Sequence, residues 1–445
     1  MIYSDYQELQ VYLRHEINIK RKSQGLKMNK LAELLGIDNV TNLTRILRPS
    51  DSVDRKFNVE MIDSIASILQ LPEGHFYPLF LGELKRKTKK SESGTFIEGK
   101  TKDFIKRCLD LSLYDIVSEL IEEVINEKNT KVIFDLAEEI FFHAEEKYPY
   151  DPSTVSYSQP EYAHALYLYQ LISEKEKSFS PQLAVCYLRI FYLLRFDPQQ
   201  VHERFILMKN FIRFMPEDEQ LVAYERVCAY YKMYFKWDKL YEAAVTLEEL
   251  AKEKNEDKFG FALVSKGFAL NGLQRFNEAL KVINEYKNID GFKEQAMINH
   301  LITHIHLGDM TKADDLIEIA LENPSPTRES TLAIVLEKYS ETTQIDPALK
   351  LIEKCNQRLN LDKNDKTHLA FKIMKFKRAE GLIHIQNKVF EKGISRLLEA
   401  AEIAINLNVT LEFGELVALL SKNIEHANEN HKKLLYKLYN NNERR

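Results

Sequence analysis

Glycine and proline are scarce in this chain, with 14 Gly and 12 Pro among 445 residues. An average protein carries about 12% of the two together, roughly twice the share found here. Both residues interrupt regular elements and form tight turns, so a chain poor in them has few such turns. The scarcity disfavours β-sandwiches and glycine-rich nucleotide-binding folds, and it favours long helices.

The spacing of apolar residues leads to the same fold class. Apolar side chains recur at i, i+3, i+4 and i+7 over most of the sequence, as in Ile116, Leu120, Ile121 and Val124. Strand-like alternation of useful length is absent from the sequence. We therefore predict an all-α protein.

The cysteines and the N-terminus indicate a compartment. The four cysteines stand far apart and form no Cys-x-x-Cys pair, which predicts free thiols in a reducing environment. The first ten residues lack the basic and apolar regions of a signal peptide, and no run approaches the ~18 apolar residues of a membrane span. We expect a cytoplasmic protein without membrane association.

A motif recurs in the second half of the chain. Its five copies begin at Cys228, Gly267, Leu301, Leu336 and Gly381, at spacings of 39, 34, 35 and 45 residues. Each copy has a small or apolar residue in one helix, a large residue at the corner, and a small or apolar residue in the next helix. The further anchors are Tyr231, Trp237, Leu240 and Ala244; Leu270, Phe276, Ala279 and Ile283; His304, Met310, Ala313 and Ile317; Ile345, Ala348 and Ile352; and His384, Phe390, Gly393 and Leu397.

This motif resembles a degenerate tetratricopeptide repeat (TPR). One helical pair cannot bury its apolar face alone, so neighbouring pairs are expected to stack into a right-handed α-solenoid with a concave face. We predict a solenoid over residues 101–445.

Residues 1–84, the head, carry the signals of five short helices. Gly36 suits a left-handed position at the end of one helix, Asp38 or Asn39 can cap the next, and Asn58 can cap a third. The predicted core is Leu13, Ile17, Leu31, Ala32, Leu35, Leu43, Ile46, Ile62, Ile65, Leu69, Phe76 and Leu79.

The segment MNKLAELLGIDNVTNLTRILRP in the head resembles the helix-turn-helix of lambda-repressor-type regulators. Ala32 stands where the two helices pack closely, and Leu43 lies one residue farther from Gly36 than is usual in that family. The residues expected to face base edges are Asn39, Thr41, Asn42, Thr44 and Arg45, and those expected to contact phosphates are Lys27, Lys30, Arg48, Arg55 and Lys56. The alternative is a head that has lost DNA binding and serves dimerisation or packing.

Charge is distributed unevenly along the chain. Residues 1–90 contain 15 Lys and Arg against 11 Asp and Glu, whereas the remainder contains 47 against 56. A basic head on an acidic body suits a polyanion-binding head. Five of the 15 cations lie in Lys85–Lys90, within the polar segment 85–100, which we interpret as a solvated linker between the head and the solenoid.

Motifs for catalysis are absent from the sequence. It lacks GxxxxGK[ST], GxGxxG and HExxH patterns. His300 and His304 lie one helical turn apart and could supply two metal ligands, but His304 occupies a repeat-core position, which favours packing. We predict no catalytic residue, no cofactor and no metal, and hence no enzyme activity.

The head and the repeats together resemble the RRNPP family of bacterial quorum-sensing regulators, and most closely the phage arbitrium receptors within it. The resemblance implies a cytoplasmic homodimeric transcription regulator that binds a double-stranded DNA operator and is switched by a short signalling peptide inside the solenoid. It also implies an asparagine clamp, matched in part by Asn271 and Asn299. Counted from the repeat anchors, the candidates for peptide contact are Glu225, Arg226, Lys232, Asn271, Asn299, Arg378 and Gln386.

Two other functions remain open from the sequence. A solenoid can dock a protein partner, with the head as a module that does not bind DNA. An enzyme built around His300 and His304 with a bound metal is the second alternative.

Overall fold

The computed structural model describes residues 6–49, 57–88, 91–148, 159–322, 328–359 and 367–443, and they are predominantly helical. This confirms the predicted predominance of helices; the described part also contains one pair of strands. The elements of the first half are α1 (Tyr6–Ser23), α2 (Met28–Leu34), α3 (Val40–Ile46), α4 (Val59–Ile68), α5 (Tyr77–Phe80), β1 (Lys85–Thr88), β2 (Ser91–Phe96), α6 (Glu98–Asp110), α7 (Tyr114–Asn126), α8 (Thr130–Lys147), α9 (Pro160–Lys175), α10 (Pro181–Leu194) and α11 (Val201–Phe211).

The second half continues as alternating helices. These are α12 (Glu217–Met233), α13 (Trp237–Ala251), α14 (Glu256–Gly272), α15 (Phe276–Tyr286), α16 (Lys293–His306), α17 (Ala313–Glu322), α18 (Arg328–Glu341), α19 (Ile345–Arg358), α20 (Thr367–Gln386), α21 (Phe390–Asn406), α22 (Thr410–Lys422) and α23 (Glu429–Glu443).

The chain divides into two compact units. Unit 1 comprises residues 1–147 and 159–186, and unit 2 comprises residues 148–158 and 187–445. The head therefore shares unit 1 with α6–α9, and the division between the units falls within α10. This differs from the predicted division, which ended the head at residue 84 and began the solenoid at residue 101.

Local capping in the head follows the sequence signals. Gly36 adopts a left-handed φ of 66°, and the Ile37 N–H donates to the carbonyl of Ala32 at 2.9 Å, which closes the end of α2. The Asn39 side chain accepts from the Thr41 N–H and caps α3, and that of Asn58 caps α4. These three predictions are confirmed.

The head core is built as predicted at most positions. Nine of the twelve predicted residues are buried, and Leu35, Ile46 and Leu79 are half-buried. The core also contains residues that the sequence pattern did not identify. They are Leu9, Leu47, Phe57, Val59, Ala66, Tyr77, Phe80 and Leu84.

Residues 85–88 and 91–96 pair as the two antiparallel strands of a hairpin, within the segment 85–100 for which a solvated linker was predicted. Lys85 pairs with Phe96 across the two strands, and its ammonium lies 4.5 Å from the centre of the Phe96 ring. The same ammonium contacts Glu127 at 2.5 Å, and the side chain is only 7% exposed. The prediction is wrong for Lys85 because two groups that are not its neighbours in sequence cover its side chain. Glu127 pairs with the ammonium, and the Phe96 ring lies against it from the opposite strand.

Helix α6 packs on the head within unit 1. Phe104 lies between the rings of Tyr77 and Phe80, each with its centre 5.1 Å away. Arg107 donates to Asp63 at 2.9 Å, and Asp63 also accepts from the Tyr77 hydroxyl at 2.8 Å. These contacts hold α4 and α5 against the first helix that follows the hairpin.

Unit 2 contains five consecutive helical hairpins. The first helices of the hairpins, α12, α14, α16, α18 and α20, contact one another in sequence order. Of the second helices, α13, α15, α17 and α19 each pack between two of them, whereas α21 packs on α20 and α22. The row curves so that its two ends meet, since the rings of Tyr234 and Phe235, just after α12, contact Phe371 of α20 at 5.4 and 6.3 Å.

Every hairpin turns through a left-handed residue two positions before the predicted corner residue. Those residues are Phe235, Gln274, Gly308, Thr343 and Lys388. The N–H that follows each one donates to a carbonyl five residues back, as from Lys236 to Tyr231 at 2.9 Å. This bond closes the end of each first helix and sets the same corner in every hairpin.

The repeat anchors on the second helices are buried as predicted. Ala279, Ala313, Ala348 and Gly393 lie in the interior. The third copy departs from the pattern on its first helix, where Leu301 and His304 are half-buried and the adjacent Ile302 and Ile305 are buried. The predicted packing role of His304 is thus only partly met.

Candidate nucleic-acid and peptide interfaces

Helix α3 presents a polar face to solvent. Thr41, Thr44 and Arg45 are exposed on it, whereas Leu43 is fully buried beneath it. Asn42 is half-buried. The helix thus has the division between buried apolar and exposed polar residues that a groove-reading helix requires.

Two of the residues predicted to read bases already form hydrogen bonds with backbone groups of α3. The Asn39 amide oxygen accepts the Thr41 N–H at 2.9 Å, and the Thr44 hydroxyl donates to the Val40 carbonyl at 2.9 Å. Bidentate recognition of adenine needs both ends of an asparagine amide. Asn39 is therefore primarily the cap of α3, and its exposed Nδ2 is the atom left for an outside contact.

Exposed cations flank α3. Lys27, Arg45 and Arg48 have no carboxylate within ion-pair distance among the residues that the structure describes, whereas Lys30 is paired with Glu33 at 2.6 Å. Arg55 and Lys56 lie outside the described residues. The three unpaired cations supply the positive charge that contact with a phosphate backbone requires.

Helix α1 holds the C-terminal end of α3 in place. The buried Arg14 guanidinium donates to the Ile46 carbonyl at 2.8 Å, and the Asn18 amide donates to the Leu47 carbonyl at 2.8 Å. Arg14 also contacts Glu83 at 2.6 Å, and both side chains are fully buried. Carbonyls at the end of a helix lack partners within it, so these donors satisfy them and fix the orientation of α3.

In unit 2, the two asparagines predicted to clamp a peptide differ in burial and in how far neighbouring side chains engage their amides. Asn299 is 3% exposed; its amide donates to the Tyr286 hydroxyl at 2.8 Å and accepts from Gln295 at 3.0 Å. It is engaged within the interior and is not placed to bind a peptide. Asn271 is half-buried and donates to Thr303 at 2.9 Å, which leaves its buried amide oxygen without a partner in the described part of the chain.

The charged candidates on α12 are partly engaged. Glu225 forms ion pairs with Lys258 and Arg226, and the Arg226 guanidinium lies 4.8 Å from the Tyr192 ring centre. Lys232 lies 3.3 Å from the ring centre of Phe268.

The two candidates on α20 bridge to neighbouring helices. Arg378 contacts Glu337 at 2.9 Å and Glu415 at 3.4 Å. Gln386 donates to the Ser340 carbonyl at 3.0 Å and so satisfies the end of α18. Both therefore hold helices together in the structure as described.

An open cleft of about 880 Å³ lies in unit 2 between the end of α12 and the start of α22. Its volume is within the range of sites that take small organic ligands. None of the seven predicted peptide residues lines it. Its lining is His202, Tyr230, Tyr234, Lys236, Asn408, Val409, Thr410, Leu411, Glu412, Gly414, Glu415 and Ala418.

Aromatic contacts shape one wall of this cleft. The Tyr230 ring stacks on Phe205 with centres 3.6 Å apart, and its hydroxyl lies 2.6 Å from His202 Nδ1. Burial raises the pKa of Tyr230 to about 12, and burial together with Lys236 lowers the pKa of His202. The tyrosine-rich run 230–234 was the feature of the sequence that could have indicated this wall. The candidates for peptide contact were counted from the repeat anchors, and that count did not include these tyrosines.

The potential catalytic groups in the described part of the chain form no metal-binding cluster. The rings of His300 and His304 lie 4.5 Å apart, and no group of three or more His, Cys, Asp or Glu side chains in the described ranges could hold a metal ion. The four cysteines are buried and form no disulfide among the described residues, and burial raises the pKa of the Cys108, Cys228 and Cys355 thiols to about 12. A thiol held protonated in this way is a poor nucleophile.

Comparison with protein-family models gives no match for this chain, and comparison with curated proteins gives none either. Within the described residues, no helix combines the length and the apolar character needed to cross a membrane.

Proposed function

We propose that this protein is a DNA-binding transcriptional regulator whose activity is switched by a short signalling peptide bound in unit 2. In this proposal, α2 and α3 form a helix-turn-helix, and the five hairpins of unit 2 form a TPR-like solenoid. The protein acts in the cytoplasm as a homodimer, in quorum sensing or in phage communication.

One observation carries the DNA-binding part of the proposal. The exposed face of α3 places Thr41 and Arg45 in solvent, with Arg48 beside its end, and none of this charge is neutralised by a carboxylate of the described residues. Arginine reads guanine through two parallel hydrogen bonds. The buried Arg14–Glu83 pair orients the helix so that this face stays outward.

The peptide-binding part rests on the cleft and its surroundings. An 880 Å³ cleft with tyrosine rings on one wall suits a ligand of a few residues. Glu412 and Glu415 at the start of α22 and Lys236 near the end of α12 add polar groups that can orient such a ligand.

A gel shift with duplex DNA from upstream of the chain's own gene tests the proposal. We expect salt-sensitive binding that exceeds binding to a random duplex, and Arg45→Ala to weaken it by about tenfold to a hundredfold. Lys22→Ala removes an exposed cation at the end of α1 and is the matched control. Equal affinity for both duplexes, or none, favours the alternative in which unit 2 docks a protein partner and the head does not bind DNA.

A further inference from the structure

Three lysines in unit 2 converge without contact to any acidic side chain that the structure describes. Lys232 lies on α12, and Lys372 and Lys375 lie one turn apart on α20. Within the described ranges, no carboxylate comes within ion-pair distance of any of the three, and all three side chains are half-buried. We call them the lysine cluster.

Ring contacts bring the two helices together at this point. The Lys375 ammonium lies 4.0 Å from the centre of the Phe235 ring, and Phe235 follows Lys232 by three residues. Phe371, beside Lys372, contacts both Tyr234 and Phe235. The cluster therefore lies next to the cleft, which Tyr234 helps to line.

Nearby carboxylates are mostly engaged elsewhere. Glu337 and Glu415 both pair with Arg378, and Glu329 pairs with Arg328. Glu412 lies within electrostatic reach of Lys375 but not in contact with it. The cluster thus keeps an excess of positive charge.

Such an arrangement is costly in the empty protein. Partial removal from water disfavours each ammonium, and like charges that face one another add repulsion. Burial and the neighbouring Lys372 and Lys375 lower the pKa of Lys232 to about 7, and burial also lowers the pKa of Lys372 and of Lys375. Aromatic faces offset only part of this cost. An anionic group placed among the lysines would remove the repulsion and restore their charge.

We propose that Lys232, Lys372 and Lys375 together bind a carboxylate of the signalling peptide, either its C-terminal carboxylate or that of an Asp or Glu side chain. This inference rests on the proposed peptide binding by unit 2. The rings of Phe268 and Phe235 hold two of the ammonium groups in position, so the site is formed before the ligand arrives.

Affinity selection followed by mass spectrometry tests the proposal with the full-length protein. Three synthetic pools of random hexapeptides are compared: free C-termini, amidated C-termini, and amidated C-termini without Asp or Glu. Loss of retention in the second pool assigns the C-terminal carboxylate, and loss only in the third assigns a side-chain carboxylate. Equal retention from all three pools overturns the carboxylate site but leaves peptide binding intact. Retention from none overturns both.

Substitutions locate the site. We expect Lys232→Met and Lys375→Met each to lower retention of the selected peptides by about tenfold or more, which corresponds to a lost charged contact. Lys239→Met, at an exposed position on α13, is the matched control and should leave retention unchanged. Unchanged retention in the first two variants overturns the proposal.

The stability of the peptide-free variants separates binding from packing. If the cluster serves a ligand, Lys232→Met relieves repulsion and raises the melting temperature of the empty protein while it weakens peptide retention. If the lysine serves only to pack on Phe268, the melting temperature falls and retention does not change. The second result overturns the proposal.

Discussion

Gly381 of α20 and Gly393 of α21 lie in direct backbone contact: a Cβ atom built on Gly393 would lie 2.9 Å from the Gly381 carbonyl oxygen and 2.6 Å from Ile385. A methyl group cannot occupy that space unless the helices separate. The fifth hairpin therefore depends on glycine at its crossing point. Gly267, which is the counterpart of Gly381 in the second hairpin, has more room, because the nearest atoms to its built Cβ are 3.9 Å away.

We therefore expect Gly393→Ala and Gly267→Ala to have opposite effects. Overpacking at Gly393 should lower the free energy of unfolding by about 1–3 kcal/mol. Alanine at Gly267 should raise it by about 0.5–1 kcal/mol, because glycine is unfavourable within a helix. Urea denaturation of both variants measures the difference, and equal effects would show that the close crossing does not stabilise the hairpin.

The left-handed corner residues give a second prediction. Thr343 has a φ of 55°, which a β-branched residue rarely adopts. Thr343→Gly should remove this strain and raise the melting temperature by about 1–3 °C. The neighbouring Thr342 lacks a positive φ, so Thr342→Gly should lower the melting temperature. A decrease in both variants would contradict the assigned corner geometry.

The buried ion pair of the head gives a third prediction. Glu83 contacts Arg14 at 2.6 Å and accepts from the Phe57 N–H at 3.0 Å. Glu83→Gln leaves the Arg14 charge buried and uncompensated, and we expect a loss of about 3–5 kcal/mol in the free energy of unfolding. Glu33→Gln removes the exposed pair with Lys30 and should cost less than about 1 kcal/mol. Urea denaturation measures both losses. Comparable losses in the free energy of unfolding would mean that burial does not increase the contribution of the Arg14–Glu83 pair to stability.

The pH dependence of stability gives a fourth prediction. The pKa of Lys232 is about 7 in the folded protein, below its ordinary value of 10.5. Between these values the unfolded chain binds more protons than the folded one, so this lysine makes stability rise with pH. From pH 7 to pH 9 we expect Lys232 to contribute an increase of about 2 kcal/mol, which Lys232→Met lacks. Identical pH profiles for the two proteins would show that Lys232 is not desolvated.

Local rules were sufficient for much of the fold. Gly36, Asn39 and Asn58 act through their own backbone or the next few residues, so their roles followed from the sequence. Ala279 and Ala348 followed from the repeat spacing, because a helical hairpin is a nearly local unit. The helical class and the buried side of most helices were predictable for the same reason.

What the sequence did not reveal depends on contacts between distant residues. The burial of Lys85 requires Glu127, and the hairpin around it forms against helices that follow. Counting from the repeat anchors assigned Asn299 to the inner face of the solenoid. The direction of its side chain depends instead on how α15 and α16 pack against each other, because this packing brings the Tyr286 hydroxyl to the Asn299 amide. The lysine cluster forms only because the row of first helices curves until α20 meets α12, a property that no local spacing encodes.

The most direct test of the regulator proposal is fluorescence anisotropy of a labelled duplex from upstream of the chain's own gene, with and without the peptides that the protein retains. We predict sequence-specific binding whose affinity changes by about tenfold or more when peptide is added, as expected for typical coupling between two sites. The change should vanish in Lys232→Met, while the affinity of the peptide-free variant for DNA stays the same. Peptides that bind without altering the affinity for DNA, or a duplex bound no better than a random one, would contradict the account.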